Sequence, residues 1–68
     1  MTNKVLGYRK MVSMTQKQMA DCLGISENQY RSKEKGRYEF TKSEMEKFCS
    51  VVQQSIPAVN VQEIFFGY

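Results

Sequence analysis

Histidine is absent from the 68 residues, which removes imidazole catalysis, histidine-containing metal sites and a Ser-His-Asp triad together. Cysteine is scarce. Cys22 and Cys49 are too few for a disulfide scaffold, and no CxxC spacing offers a zinc or redox site. Each is expected to serve as a small core residue. Long apolar runs are missing too: the longest are triplets such as Ile64-Phe65-Phe66, against the roughly 20 residues of a membrane span. Met1 to Lys10 carries no signal-peptide apolar segment, so a soluble, cytoplasmic chain is expected. With neither a nucleophile–base pair nor a phosphate loop, no enzyme, cofactor or metal is expected.

What is present suits one small folded unit. A chain of this length buries roughly 60% of its unfolded surface and has no room for a second core, so residues 1–68 are expected to form a single domain. The composition, 41% hydrophobic and 25% charged with one Pro and four Gly, is that of a globular chain rather than a disordered one. Charge is unevenly placed. Residues 1–37 hold eight Lys and Arg against three Asp and Glu, a net +5, whereas residues 38–68 hold two against four, a net −2. A basic half at pI near 9.0 is the electrostatic footprint of a polyanion binder, though an ordinary solvated surface has the same look.

Helix starts are the sharper signal. Thr15-Gln16-Lys17-Gln18, Ser26-Glu27-Asn28-Gln29, Thr41-Lys42-Ser43-Glu44 and Asn60-Val61-Gln62-Glu63 each place a capping residue three positions before Gln or Glu. In such a box the first side chain accepts from the N3 amide and the N3 side chain reaches back to the cap amide. Helices are therefore expected at about 2–12, 16–22, 26–35, from 42 onward, and in a short fifth piece after Asn60. Helical spacing turns Val5, Tyr8 and Val12 inward on the first, with Arg9 beside them. Met19, Ala20 and Leu23 face inward on the second, and Met45, Phe48, Cys49 and Val52 on the fourth. Gly24 and Gly36 close the second and third helices, and Pro57 interrupts a loop from Gln53 to Val59. Strand alternation is absent, and the expected class is all-α.

Residues 14–30 combine a short helix, a tight turn containing Gly24 and a second short helix, which is the arithmetic of a helix-turn-helix or of any αα-corner in a bundle. Ala20 marks the close crossing of the pair, with Leu23, Ile25 and Tyr30 filling the angle. The set Arg9-Lys10, Met14-Thr15-Gln16, Ala20, Leu23-Gly24-Ile25-Ser26, Tyr30 and Glu34-Lys35-Gly36 resembles the Cro and lambda-repressor-like helix-turn-helix family of phage and bacterial regulators. The resemblance spans nearly the whole chain and implies a compact five-helix fold. Three positions depart from the pattern. Lys33 stands where the family has an aromatic residue, leaving Tyr38 or Phe40 to fill the space behind helix 3. Ser13 stands where Gly is common, and the Gln53–Val59 loop is longer than usual.

With Ile25 and Tyr30 facing the core, the exposed stripe of the third helix is Glu27, Asn28, Arg31, Ser32 and Lys35. Those are candidate base readers of a helix laid in a major groove, with Ser26 near enough to meet a base or a phosphate. The resemblance implies base contacts at Glu27, Asn28 and Ser32. It also implies a phosphate contact at Gln16 and a structural ion pair between Arg9 and Glu34. Lys17, Arg31, Lys35 and Arg37 are candidate phosphate contacts, so Arg31 stands in both sets. The expected function is a sequence-specific regulator that binds a double-stranded DNA operator. It would act as a homodimer, because one small domain reads only a few base pairs. The alternative is a protein-interaction module on the same fold: an antirepressor, inhibitor or antitoxin that binds another regulator.

Overall fold

The capping residues read from the sequence stand where helices begin. The structure, a computed structural model, describes residues 4–66. Over that span the chain forms α1 (Val5–Met11), α2 (Gln16–Leu23), α3 (Glu27–Glu34) and α4 (Lys42–Gln53), then a π-helical turn, Gln62–Phe66. Among the described residues there is no strand.

Thr15, Ser26 and Thr41 make both halves of their capping boxes. Their hydroxyls accept from the amides of Gln18, Gln29 and Glu44 at 3.0, 3.1 and 3.2 Å. The Gln18, Gln29 and Glu44 side chains accept from the cap amides at 2.9, 3.0 and 3.0 Å. Six end donors that helix geometry alone leaves orphaned are thereby satisfied. At Asn60 the half that forms is the Glu63 amide donating to Oδ1, at 2.9 Å. The segment it opens is wound as a π-turn rather than an α-helix.

Helix ends follow one pattern three times. Ser13, Gly24 and Gly36 have φ of 59°, 76° and 88°. At each, the left-handed residue's own amide and the next amide turn back onto the helix: Ser13 to Lys10 and Met14 to Arg9, Gly24 to Asp21 and Ile25 to Ala20, Gly36 to Lys33 and Arg37 to Ser32. This paired closure satisfies the last carbonyls and needs a residue tolerant of positive φ. Glycine has that tolerance, and serine bears a Cβ penalty there.

Helix 1 is shorter than its expected range. It starts at Val5 with no side-chain cap at Lys4, and positions 2 and 3 lie outside the described residues. The Lys4 amide donates to the Ile64 carbonyl at 3.0 Å, fastening the start of α1 to the π-turn. The core collects Val5, Met19, Ala20, Leu23, Tyr30, Phe40, Phe48, Cys49, Val52, Val59 and Ile64. α2 is its hub, packed on both α3 and α4.

The structure corrects one core expectation. Cys22 is exposed while Cys49 is buried. The inward stripe of α2 runs through Met19, Ala20 and Leu23, and at 3.6 residues per turn Cys22 falls to its side. Of the two aromatics available behind helix 3, Phe40 fills the space and Tyr38 stays 68% exposed. Phe40 packs edge-on against Tyr30 at 6.0 Å and Phe65 at 5.3 Å, and Phe65 meets Phe48 at 5.6 Å.

Gln53 ends α4 rather than opening the following loop. Its Nε2 donates to the Val59 carbonyl at 2.9 Å and holds the Pro57-containing connection against the helix. In the apolar tail Ile64 is buried and Phe66 is 53% exposed, while Gly67 and Tyr68 lie outside the described residues. Among the described residues no helix is long and apolar enough to cross a membrane.

Replacing Ser13 by Gly is expected to raise unfolding stability by about 0.5–1 kcal/mol, through relief of the left-handed strain. Urea denaturation checks it. A loss of stability would mean that the greater freedom of the unfolded glycine chain exceeds the strain relieved.

Candidate nucleic-acid interface

Gly24, Ile25 and Ser26 turn the chain from α2 into α3, and the two faces of α3 differ in kind. The inner face carries Tyr30, fully buried in the core. Glu34, one turn on, has a side chain only 6% exposed. The outer face carries Asn28, Arg31 and Lys35, all exposed, with Glu27 and Ser32 half-buried beside them.

Glu34 organises the back of the site. Its carboxylate accepts from Arg9 Nε at 2.8 Å and Nη2 at 3.4 Å, from Gln16 Nε2 at 2.9 Å and from the Tyr30 hydroxyl at 2.7 Å. Those donors come from α1, α2 and α3. Arg9 also donates through Nη1 to the Met14 carbonyl at 2.8 Å. Burial alone would push the Glu34 carboxyl up, but the hydrogen bonds from Arg9, Gln16 and Tyr30 outweigh it and hold the group below the ordinary carboxylate range. The Glu34 hydrogen bond raises the Arg9 guanidinium in turn. Burial, then the Glu34 contact, pushes the Tyr30 phenol strongly up, so it stays protonated and donating. The Arg9–Glu34 pair implied by the resemblance is thus present.

On the outer face, Ser26 Oγ is engaged in its cap and Asn28 projects with no side-chain hydrogen bond among the described residues. Arg31 donates from Nη2 to Glu27 at 2.9 Å and from Nε to Gln16 Oε1 at 3.2 Å. Gln16 therefore joins the two faces, with its amide nitrogen on Glu34 and its amide oxygen on Arg31. Lys17 stands 3.9 Å from Asp21 on its own helix with both side chains well exposed, a pairing worth little in water. Lys35 and Arg37, at the far end of α3, are exposed and have no ion-pair partner among the described residues.

No family model, curated protein or solved structure matches this chain. The site therefore rests on its own geometry.

Two features lay beyond the sequence reading. An open groove of about 560 Å³ runs along α3, lined by Asn28, Gln29, Ser32, Lys33, Tyr38 and Glu39. Tyr38 is its aromatic wall, a role invisible while the residue was a candidate for the core. The other feature is the Lys33–Glu44 pair at 2.6 Å, with side chains 15% and 11% exposed. Burial acts to raise Glu44, but hydrogen bonds from Lys33 and from the Thr41 amide prevail and lower it. Lys33, read as a departure that removes packing, instead ties α3 to the first turn of α4. The one sequence signal for this was Glu44 at the N3 position of its box.

Glu34 sets an acid limit on stability. Its folded pKa lies below the unfolded value, so its contribution is complete above about pH 4.5 and is lost as pH falls through the folded pKa. Glu44 acts in the same sense. Thermal melts are expected to show a steep loss below pH 4.5 that flattens in Glu34→Gln, which is also less stable at pH 7. An unchanged acid limb in that variant would place the transition elsewhere. Arg9→Met, which strands Glu34 without its main partner, is expected to cost about 3 kcal/mol. That loss is comparable with the whole stability of a domain this small, and circular dichroism reads it as unfolding near room temperature.

Proposed function

We propose that this chain is a sequence-specific, double-stranded DNA-binding regulator in which α2, the Gly24 turn and α3 act as a helix-turn-helix. The observation that carries this is the two-faced α3: Tyr30 and Glu34 anchor one side, and the other offers Asn28 and Arg31 to solvent with Ser32 half-buried beside them. Eight helical residues span about 12 Å, which suits a helix seated in a major groove about 12 Å wide.

In that pose Asn28 pairs with adenine through the acceptor and donor of its free amide. Ser26, Glu27, Arg31 and Ser32 complete the base-facing set. The phosphate contacts are Lys17 at the first turn of α2 and Lys35 and Arg37 after α3; the Gln16 side chain, expected to join them, is taken at both ends by Glu34 and Arg31. Lys35 and Arg37 have the charge for this because no carboxylate among the described residues pairs with them. Glu27 repels phosphate and so weakens binding to unselected sequence.

Size supports pairing of two copies on DNA. The described residues extend 29 × 24 × 20 Å, less than the roughly 34–36 Å that separates half-sites on one face of the duplex. One chain reads one half-site, and a homodimer reads an inverted repeat. The groove walled by Tyr38 favours the second reading, a protein-interaction module, and salt separates the two. DNA affinity falls with a log–log slope of about −0.9 per phosphate neutralised, and binding of a protein to an apolar wall does not.

Selection from a random duplex library is expected to enrich an inverted repeat. Asn28→Ala should then cost about 1–3 kcal/mol on the selected site and relax preference at one base pair, whereas Lys17→Ala weakens all sequences alike. Gel-shift titrations over several salt concentrations measure both. Equal losses for Asn28→Ala on selected and random duplexes would remove its assigned role, and no enrichment at low salt would favour the protein-binding alternative.

A further inference from the structure

We propose that Arg31 reads guanine, and that Gln16 and Glu27 hold its guanidinium ready for that contact, an assignment that rests on α3 entering the groove. A continuous polar relay crosses the molecule to reach it. Arg9 on α1 binds Glu34 at 2.8 Å, Glu34 accepts from Gln16 on α2 at 2.9 Å, and Gln16 accepts from Arg31 at 3.2 Å. Arg31 ends the relay on Glu27 at 2.9 Å.

The chemistry of the relay leaves one arrangement. An ionised carboxylate only accepts and a guanidinium only donates. Glu34 therefore takes the NH2 end of the Gln16 amide, and the carbonyl end is left for Arg31. Flipping the amide would set its oxygen against the carboxylate and its NH2 against the guanidinium. The buried Arg9–Glu34 pair in this way fixes the pose of a surface arginine on another helix face.

The same contacts decide what Arg31 is free to do. Nε and Nη2 have protein partners, while Nη1 has none among the described residues. Nη1 and the second hydrogen of Nη2 remain as a two-pronged fork, the shape that matches guanine O6 and N7. A phosphate is the poorer partner. The Glu27 carboxylate already neutralises the guanidinium and repels an approaching anion, whereas the guanine acceptors are uncharged. Ordering a long arginine on binding opposes association, and a side chain held at two points before DNA arrives avoids most of that cost. Gln16 is thus a positioning residue whose side chain faces protein rather than phosphate.

The test uses the full chain and the duplex that wild-type protein selects from a random library. Arg31→Met is expected to lower preference for guanine at one position of each half-site by about 5- to 150-fold, with other positions unchanged. Putting 7-deazaguanine, which lacks the N7 acceptor, at that position is expected to weaken wild-type binding and leave Arg31→Met unaffected. Gln16→Met keeps length and helix propensity but removes both hydrogen bonds. It should lower the same single-position preference while the salt slope stays constant, which a general loss of stability would not do. The inference is overturned, with the DNA-binding reading intact, if Arg31→Met weakens every duplex alike and reduces the salt slope by about 0.9. It is overturned together with that reading if wild-type protein enriches no sequence.

Discussion

One carboxylate holds this small fold at its working angle. Glu34 sits at the end of α3 and takes hydrogen bonds from α1 through Arg9, from α2 through Gln16 and from its own helix through Tyr30. A buried, ionised group is costly in an apolar interior unless every lone pair is occupied, and here four donor contacts occupy them. Because those donors arise from three helices, the geometry that satisfies Glu34 is also the geometry that sets α3 against α1 and α2. A second, smaller clamp at the other side, Lys33 to Glu44, fixes α3 to α4. Between the two clamps the edge-on contact of Tyr30 with Phe40 sets the depth at which the helix lies.

This arrangement explains why the outer face of α3 is left rich in polar groups and poor in free charge. Of its ionic residues, Glu27 and Arg31 satisfy one another, and Lys35 with Arg37 is displaced to the end. An outer face built in this way attracts a polyanion weakly through its centre and more strongly at its edge. In the proposed DNA-binding role, discrimination then falls to hydrogen-bond geometry rather than to bulk charge. The relay through Gln16 extends the same logic, since a buried ion pair that must be satisfied for folding also orients a side chain at the surface.

Much of the architecture was legible because it is local. Capping boxes act within four residues, so Thr15, Ser26 and Thr41 announced their helices without any knowledge of the fold. Gly24 and Gly36 announced two ends for the same reason. Ser13 was marked only by standing where Gly is common in the family the chain resembles, because a serine in the left-handed region has no local signature of its own. Its conformation is imposed by the closure of α1 and the need to bring Met14 back to Arg9. Cys22 went astray because periodicity on an eight-residue helix defines a stripe only to within one position. The neighbours in α3 and α4 decided which side of that stripe was covered. Tyr38 and Phe40 were interchangeable by composition, and the distance to Tyr30 separated them.

The order of the helices, the starts of α2, α3 and α4, the two-faced character of α3 and the stripe of polar residues it presents follow from spacing and capping, which the chain settles with its nearest neighbours. The partners of Lys33 and Gln16 were decided only by tertiary structure. They lie 11 to 18 residues away along the chain, and no periodicity links positions on different helices. Long polar side chains have many places to go, and the buried carboxylates at Glu34 and Glu44 chose among them by requiring donors where the helices converge.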